Sequence, residues 1–169
     1  FNIFNKYESR KKLGLALDKS YILFLSDILD TRKNSALCKA VEKLMSDIEF
    51  LYPYPVNQNL VPYYLCASDV LFHPSVMEGS SNLIKEAMTT SCPIVALDSG
   101  DNRMLFEGCK GHYICENNKK DAVAKLGEAL AFASKENRTK GRSAIISKGL
   151  SSTRVADKLL NIYERLVIN

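Results

Sequence analysis

The stretch that decides the fold is VLFHPSVMEGSSNLIKEAMTTSCPIVAL, residues 70–97. It begins and ends in short apolar runs, Val70–His73 and Ile94–Leu97, which are typical of strands covered on both faces of a parallel sheet. Between them, residues 81–90 place apolar side chains at helical spacing. The order strand, loop, helix, strand predicts one unit of an α/β fold.

The same alternation extends through most of the chain. Further strands are predicted at residues 21–25, 49–52 and 112–115, and further helices at 34–47, 60–67 and 101–106. We therefore expect an α/β fold with a Rossmann-like, mainly parallel sheet of about five strands flanked by helices. Residues 1–169 have the length of one domain.

The C-terminal part is predicted to contain helices only, at residues 120–133, 137–147 and 153–167, with Asp121 as the cap of the first. The last helix carries an apolar stripe that we expect to pack in the core: Val155, Leu159, Ile162 and Leu166. The chain begins without Met, which we interpret as the middle of a longer protein whose missing part lies upstream.

Composition excludes several classes of protein. Hydrophobic residues make up 46% and charged residues 25%, as in globular domains and unlike disordered tails or fibres. The net charge of +4 is spread along the chain without a dense Lys/Arg stripe, so no nucleic-acid partner is expected. The longest uncharged stretch, residues 50–68, holds three prolines and is not a membrane helix. The five cysteines form no C-x-x-C pair and are predicted to be buried free thiols.

The loop and helix that follow residues 70–73 carry the strongest functional pattern. Gly79 allows backbone conformations that other residues avoid, and Ser80 or Ser81 can cap the helix, whose free N–H groups would suit a phosphate. Glu78 lies on the loop, and the Glu86 side chain leans back toward the helix N-terminus. We expect both carboxylates to converge on one electropositive crevice at the carboxyl ends of the strands. On spacing alone, two solvated carboxylates remain the simpler interpretation.

Other candidate groups have weaker patterns. His73, at a strand end, could relay a proton or be structural, and His112 is expected to be structural. Asp98 and Asp101 lack a third ligand, so no metal is expected. The absence of G-x-G and G-K-[ST] argues against dinucleotide and P-loop sites.

The run EGSSNLIKEAM at residues 78–88, followed by PIV at 93–95 and DSGD at 98–101, resembles the E-x7-E signature of retaining GT-B glycosyltransferases of family 4, also called glycosyl transferases group 1. The resemblance covers roughly residues 8–167. It implies one half of a GT-B fold: the C-terminal, nucleotide-sugar-binding domain of a two-domain enzyme whose N-terminal acceptor domain is absent.

The resemblance also implies an activity. The full-length protein would be a retaining glycosyltransferase of the hexosyltransferase type, moving a sugar from a nucleotide-sugar donor to a glycan or lipid-linked acceptor in bacterial surface polysaccharide synthesis. No cofactor is implied, and the isolated domain is expected to be inactive. The enzyme would lie in the cytoplasm or associate peripherally with the inner face of the membrane.

Individual residues take roles from the same resemblance. Glu78 would be catalytic and contact the donor sugar, while Glu86 would bind the ribose hydroxyls. Lys33 would neutralise the phosphates, with Arg32 as a second cation. The helix start would receive the pyrophosphate through Gly79, Ser80, Ser81, Asn82 and Leu83.

The sequence departs from the family pattern at three places. Ser26 and Asp27 stand where Gly-Arg is usual, the segment 47–60 is short, and Met104 replaces a glutamate. The first change favours an alternative, a non-catalytic nucleotide-binding or interaction module. A sugar-nucleotide epimerase-like protein is a further alternative.

Overall fold

The computed structural model describes residues 2–167, and it shows a five-stranded sheet in which all neighbours are parallel. The strand order is β2-β1-β3-β4-β5. The strands are β1 Tyr21–Leu23, β2 Glu49–Leu51, β3 Val70–His73, β4 Ile94–Leu97 and β5 His112–Cys115. The predicted Rossmann-like sheet is therefore confirmed, and three of its strands have the predicted bounds.

The order of the strands creates a crevice between β1 and β3. The chain passes from β1 outward to β2, then returns to place β3 on the other side of β1. At such a switch point the connections leave the sheet in opposite directions, which opens a space beyond the carboxyl ends of the strands. Loops that follow β1 and β3 line this space.

Eight helices are present in the described part of the chain. They are α1 Lys6–Leu13, α2 Ser35–Glu42, α3 Val61–Ala67, α4 Asn82–Thr89, α5 Asn102–Phe106, α6 Lys119–Glu136, α7 Gly141–Ser147 and α8 Ser152–Val167. Short 3-10 turns at Thr31–Lys33 and Gln58–Leu60 complete the elements.

The helices cover both faces of the sheet. On one face, α3, α4, α5 and α7 pack through buried residues that include Leu65, Ile84, Leu105 and Ile145. On the other face, α2 and α6 pack through residues that include Val41 and Leu126. The result is a three-layer α/β/α arrangement, in which the apolar strands are buried from both sides.

A buried ion pair fixes α1 at the amino ends of the strands. The Arg10 side chain, 5% exposed as a residue, donates from Nε to the carbonyl of Ala67 at 2.9 Å and from Nη2 to Asp69 at 3.0 Å. The same Asp69 carboxylate accepts the N–H of Tyr21 at 2.7 Å. One carboxylate thus links the leading helix to the starts of β1 and β3.

Two helix boundaries differ from the prediction by at least four residues, and α6 also extends three residues past its predicted end. The helix expected over residues 34–47 ends at Glu42, because the chain continues in tighter turns such as Met45 N–H to Glu42 carbonyl, 3.1 Å, which preserve a near-helical spacing of apolar residues. The helix expected over 137–147 begins at Gly141, since Asn137 has a φ of 62° and ends α6.

The cap of α6 is also different. Asn118, not Asp121, caps the helix by accepting the N–H of Asp121 at 2.9 Å. The Asp121 carboxylate accepts the N–H of Glu116 at 2.8 Å. The acid therefore stands at the third helical position and reaches back past the cap to Glu116, whereas in a capping box it would bond the cap residue itself.

The expectation that the stripe of α8 is core is wrong. Val155, Leu159, Ile162 and Leu166 are 40–70% exposed. Amphipathic spacing shows that a helix has two faces, and it does not show what covers the apolar one. Within residues 2–167, no helix combines the length and the hydropathy needed to cross a membrane.

Candidate functional site

A cavity of about 500 Å³ lies at the switch point between β1 and β3. Its walls come from the loop after β1, from the segment after β2, and from the end of β3 through the start of α4. The lining residues are Leu25, Ser26, Asp27, Asp30, Lys33, Tyr54, His73, Glu78, Ser80, Ser81, Asn82 and Leu83. A larger cavity of about 710 Å³, beyond the ends of β4 and β5, is lined by none of the predicted site residues. Six predicted site residues therefore meet in the switch-point cavity.

The N-terminus of α4 forms one wall. Ser81 is the cap, and its Oγ accepts the N–H of Ile84 at 3.4 Å. The first N–H groups of a helix have no acceptor within it and carry the positive end of the helix dipole. This end of α4 opens into the cavity through Asn82 and Leu83. The Ser80 hydroxyl instead donates to Asp101.

The Glu78 carboxylate is held by two basic neighbours, one on the loop after β1 and one at the end of β3. Lys33 Nζ donates to Glu78 Oε1 at 2.6 Å, and His73 Nε2 lies 3.2 Å from the same oxygen. The nearby His73 imidazole, and after it Lys33 and Ser75, hold the pKa of the Glu78 carboxyl well below its usual range, although burial acts in the opposite direction. Glu78 is therefore ionised at every physiological pH.

The Glu78–Gly79 turn rests on the loop after β4. Gly100 has a φ of 60°, and a Cβ placed on it would lie 2.4 Å from the carbonyl oxygen of Gly79. The predicted conformational role of Gly79 is wrong, since Gly79 is not among the glycines with positive φ and has open space around it. The glycine that this site requires is Gly100, one loop further along the chain.

Arg32 does not reach the cavity with its side chain. Its guanidinium donates to the Asp30 carboxylate at 2.8 and 3.0 Å and is largely exposed. The Arg32 carbonyl accepts the N–H of Val76 at 2.9 Å and the hydroxyl of Ser75 at 3.1 Å. Arg32 thus joins the loops after β1 and β3 through its main chain.

Glu86 lines a different cavity. This space of about 380 Å³ lies between α4 and α7, and Asn82 borders both cavities. Gln58 Nε2 donates to Glu86 Oε1 at 3.2 Å. Burial raises the pKa of the Glu86 carboxyl, against the effect of Gln58. The expected convergence of Glu78 and Glu86 in one crevice is not found. Glu78, on the loop before α4, lines the switch-point cavity, whereas Glu86, on α4, lines the cavity between α4 and α7.

The charge of the switch-point cavity also differs from expectation. Its lining contains the three acidic residues Asp27, Asp30 and Glu78, one lysine, Lys33, and the imidazole of His73. Counted by side chains alone, the crevice is acidic, and the N-terminus of α4 supplies the remaining positive potential.

Three residues near the two carboxylates were not predicted: Tyr54, Gln58 and Ser75. Tyr54, 51% exposed, follows β2 and enters the cavity. The rule that loops at the carboxyl ends of strands build the site would have found it. The same rule covers the almost fully buried Ser75, which follows β3, whereas no sequence signal pointed to Gln58.

The weaker candidates have structural surroundings. His112 is buried against Phe106, and desolvation lowers the pKa of its imidazole to about 3. Asp98 pairs with Arg103 at 2.7 Å. All five cysteines are free and buried, which confirms the prediction for them.

Comparisons with known proteins show which family this chain resembles in sequence and in fold. The family described as Glycosyl transferases group 1 matches residues 28–131. A curated relative from Escherichia coli, UDP-Gal:alpha-D-GlcNAc-diphosphoundecaprenol alpha-1,3-galactosyltransferase, is 27% identical over 143 residues, which are 75% of this chain and 36% of that protein. The chain thus spans about a third of the length of that relative.

Two solved structures show the fold. Sucrose-phosphate synthase from Thermosynechococcus elongatus superposes with a TM-score of 0.81 at 15% identity, over 98% of this chain and 50% of that one. Anabaena HepE in complex with UDP and glucose gives a TM-score of 0.68 at 15% identity, over 98% of this chain and 56% of that one. Each resembles this chain over about half of its own length.

Proposed function

Because this chain belongs to the group 1 glycosyl transferases, we propose that it is the donor-binding domain of an enzyme that transfers a sugar from a nucleotide-sugar to a glycan or lipid-linked acceptor. The family resemblance predicted from the sequence is confirmed. The observation that carries the proposal is the switch-point cavity, in which the α4 N-terminus, Lys33 and the ionised Glu78 face one space. Phosphates suit the first two groups, and a sugar hydroxyl or a developing positive charge suits the third.

The proposed roles within the site follow from position. Lys33 and the first N–H groups of α4, at Ser81 to Leu83, would bind the diphosphate. Glu78 would contact the donor sugar near its reacting carbon. Glu86 would bind the ribose hydroxyls, which requires the nucleoside to extend past Asn82 toward the neighbouring cavity. The Arg32 guanidinium would bind the phosphates only if its ion pair with Asp30 were broken.

The proposed biological setting rests on the relatives. The galactosyltransferase acts on a lipid-linked diphosphate sugar by its name, and a similar acceptor in bacterial surface polysaccharide synthesis is our proposal for the parent enzyme. We place acceptor binding in a separate N-terminal domain, retention of configuration at the donor carbon, and the site of action in the cytoplasm or at the inner membrane face. The isolated chain should then bind donor and turn over little, because groups that orient the acceptor would be missing.

A non-catalytic nucleotide-binding module is the second candidate. The observation in its favour is the acidic lining, since Asp27 and Asp30 face the space where phosphates would enter. Such a module would bind nucleotide and nucleotide-sugar equally, because no residue would act on the sugar.

Calorimetric titration of the chain with UDP-, GDP- and ADP-sugars tests the proposal. We expect one base to be preferred, and Glu86→Ala to weaken binding by about tenfold, the loss of hydrogen bonds to a charged group. Glu136→Ala, at the exposed end of α6, is the matched control and should bind as the wild type. Absence of heat with every donor would refute donor binding.

Transfer is tested on the full-length protein. The configuration of the new glycosidic bond, read from the anomeric coupling constant in the product, decides between retention and inversion. An enzyme that hydrolyses or transfers the sugar only when Glu78 is intact would separate the transferase from the binding module.

A further inference from the structure

His73 is a buried titratable group that the proposed mechanism leaves unused. It closes β3, where it is paired in register with Ala96, and is 3% exposed. Its Nε2 atom lies 3.2 Å from Glu78 Oε1, which is within hydrogen-bond distance. The two groups are nevertheless not aligned as a hydrogen bond, and among the described residues Nε2 has no hydrogen-bond partner. A buried nitrogen without a partner costs free energy, and so calls for an explanation.

The explanation lies in Lys33, which contacts the same Glu78 oxygen as His73. Lys33 Nζ donates to the same Oε1 at 2.6 Å, so the ammonium occupies the favourable approach to the carboxylate. The Glu78 side chain is 14% exposed and the Lys33 side chain 25%, while the His73 side chain is 4% exposed. Lys33 is thus the partner on the cavity side, and His73 is the partner beneath.

A diphosphate in the cavity would change this balance. Lys33 is the only lysine or arginine in the described lining, and the diphosphate offers it more negative charge than one carboxylate. As the flexible ammonium turns to the phosphates, Oε1 loses its closest donor. The nearby Ser75 hydroxyl is bonded to the main-chain carbonyls of Arg32 and Met77. Without another donor, the carboxylate would therefore be free to rotate at the moment when it must face the sugar.

We infer that His73 is a positioning residue, whose Nε2–H donates to Glu78 and holds the carboxylate in place when Lys33 turns to the donor phosphates. The inference rests on the proposed function, because it assigns Lys33 to the phosphates and Glu78 to the sugar. No proton is transferred, since a neutral imidazole with its hydrogen on Nε2 is already a donor. An imidazole fixed on a buried strand end loses little rotational freedom when the bond forms, in contrast to a lysine.

The contact itself can be tested without any nucleotide. The chain has only two histidines, so nitrogen-15 NMR of the imidazole rings resolves His73, with His112 as an internal control. Lys33→Met mimics the departure of the ammonium. In this variant we expect the His73 ring to show a protonated, hydrogen-bonded Nε2 whose proton moves downfield and exchanges slowly, while His112 does not change.

Adding Glu78→Met to Lys33→Met should abolish this signal, because methionine has no oxygen to accept the imidazole N–H. His73 resonances that are the same in the wild type and in Lys33→Met would overturn the inference, as would a downfield proton that persists when Glu78→Met is added.

The role of His73 in donor binding is tested by calorimetry with UDP and UDP-glucose. We expect His73→Leu to lower the affinity for UDP-glucose by about tenfold, the loss of one hydrogen bond to a charged group, and to leave the affinity for UDP unchanged. His73→Gln, which keeps a nitrogen donor at similar reach, should stay within about twofold of the wild type. His112→Gln is the control for loss of a buried imidazole, and thermal unfolding reports whether each variant is folded.

Equal losses for UDP and UDP-glucose, or no rescue by His73→Gln, would show that His73 only supports the fold and would overturn the inference. A wild type that binds no nucleotide would instead refute the proposed function and the donor step built on it. The NMR result would still decide whether His73 takes the place of Lys33 at Glu78, so the two failures are distinguishable.

Discussion

Gly100→Ala tests whether the loop after β4 positions Glu78. A Cβ at this position would lie 2.4 Å from the Gly79 carbonyl oxygen and 3.0 Å from that of Glu78, where ordinary contacts begin at 3.4 Å. The Glu78–Gly79 turn must therefore move by about 1 Å, or the loop must move away from it. The left-handed backbone, with a φ of 60°, costs alanine a further ~1 kcal/mol.

Gly108→Ala separates these two effects. Gly108 has a φ of 71° and nothing within 4 Å of an added Cβ, so its variant carries the backbone cost without the clash. In urea unfolding of the chain we expect losses of about 1 kcal/mol for Gly108→Ala and about 2–3 kcal/mol for Gly100→Ala. In the two-domain transferase that we propose, a displacement near 1 Å should lower transfer by about a hundredfold for Gly100→Ala alone. Equal stability and equal activity of the two variants would refute the proposed support of Glu78 by this loop.

Three further predictions concern charge. His112 is neutral in the fold because burial lowers its pKa to about 3 from 6.5; the unfolded chain takes up the proton first, so stability is complete above pH 6.5 and falls by about 1.4 kcal/mol per unit toward pH 3. Urea unfolding across this range should show a correspondingly flatter dependence for His112→Leu. Arg10→Ala should cost about 3 kcal/mol by leaving Asp69 buried with one donor fewer, and the double variant with Asp69→Asn, measured by the same unfolding curves, should cost less than the two single losses added together. Lys33→Met should weaken UDP binding by about tenfold and reduce its dependence on salt, as read by calorimetry at two ionic strengths, while Glu78→Gln should not weaken UDP binding.

The strands were predictable because the sequence marks their ends. Strands β3, β4 and β5 have the predicted bounds, and Pro74, Pro93 and Gly111 stand beside them as residues that interrupt a ladder. The start of α4 was predictable for a similar reason, since Ser81 has the chemistry of a cap. Local chemistry of this kind needs no knowledge of the rest of the fold.

Which of two adjacent cations enters the cavity was not predictable. Arg32 and Lys33 lie in a 3-10 turn, where successive side chains point about 120° apart. The choice depends on how the turn docks, and that is fixed by the bonds from Val76 and Ser75 to the Arg32 carbonyl. Such tertiary contacts leave no trace in residue spacing.

Neither the orientation of α4 nor the exposure of the apolar stripe of α8 could be predicted from residue spacing, for the same reason. Glu86 lies one turn beyond Asn82, and the rotation of the helix directs it toward Gln58 rather than Glu78. A helical period fixes the angle between side chains and leaves the angle to the neighbouring loop undetermined.

The acidic lining of the cavity restricts how a donor can lie in it. Asp27, on the loop after β1, repels a diphosphate, whereas Asp30 is paired with Arg32 and the N-terminus of α4 attracts the diphosphate from the other wall. Lys33 can reach a phosphate while leaving Glu78 to its second neighbour, His73. We therefore expect the diphosphate to run along the start of α4, with the sugar toward Glu78, and an Asp27→Asn variant to bind UDP-glucose more tightly than the wild type in calorimetry. Weaker binding by that variant would mean that Asp27 holds the ligand, and would reverse the orientation argued from the charges.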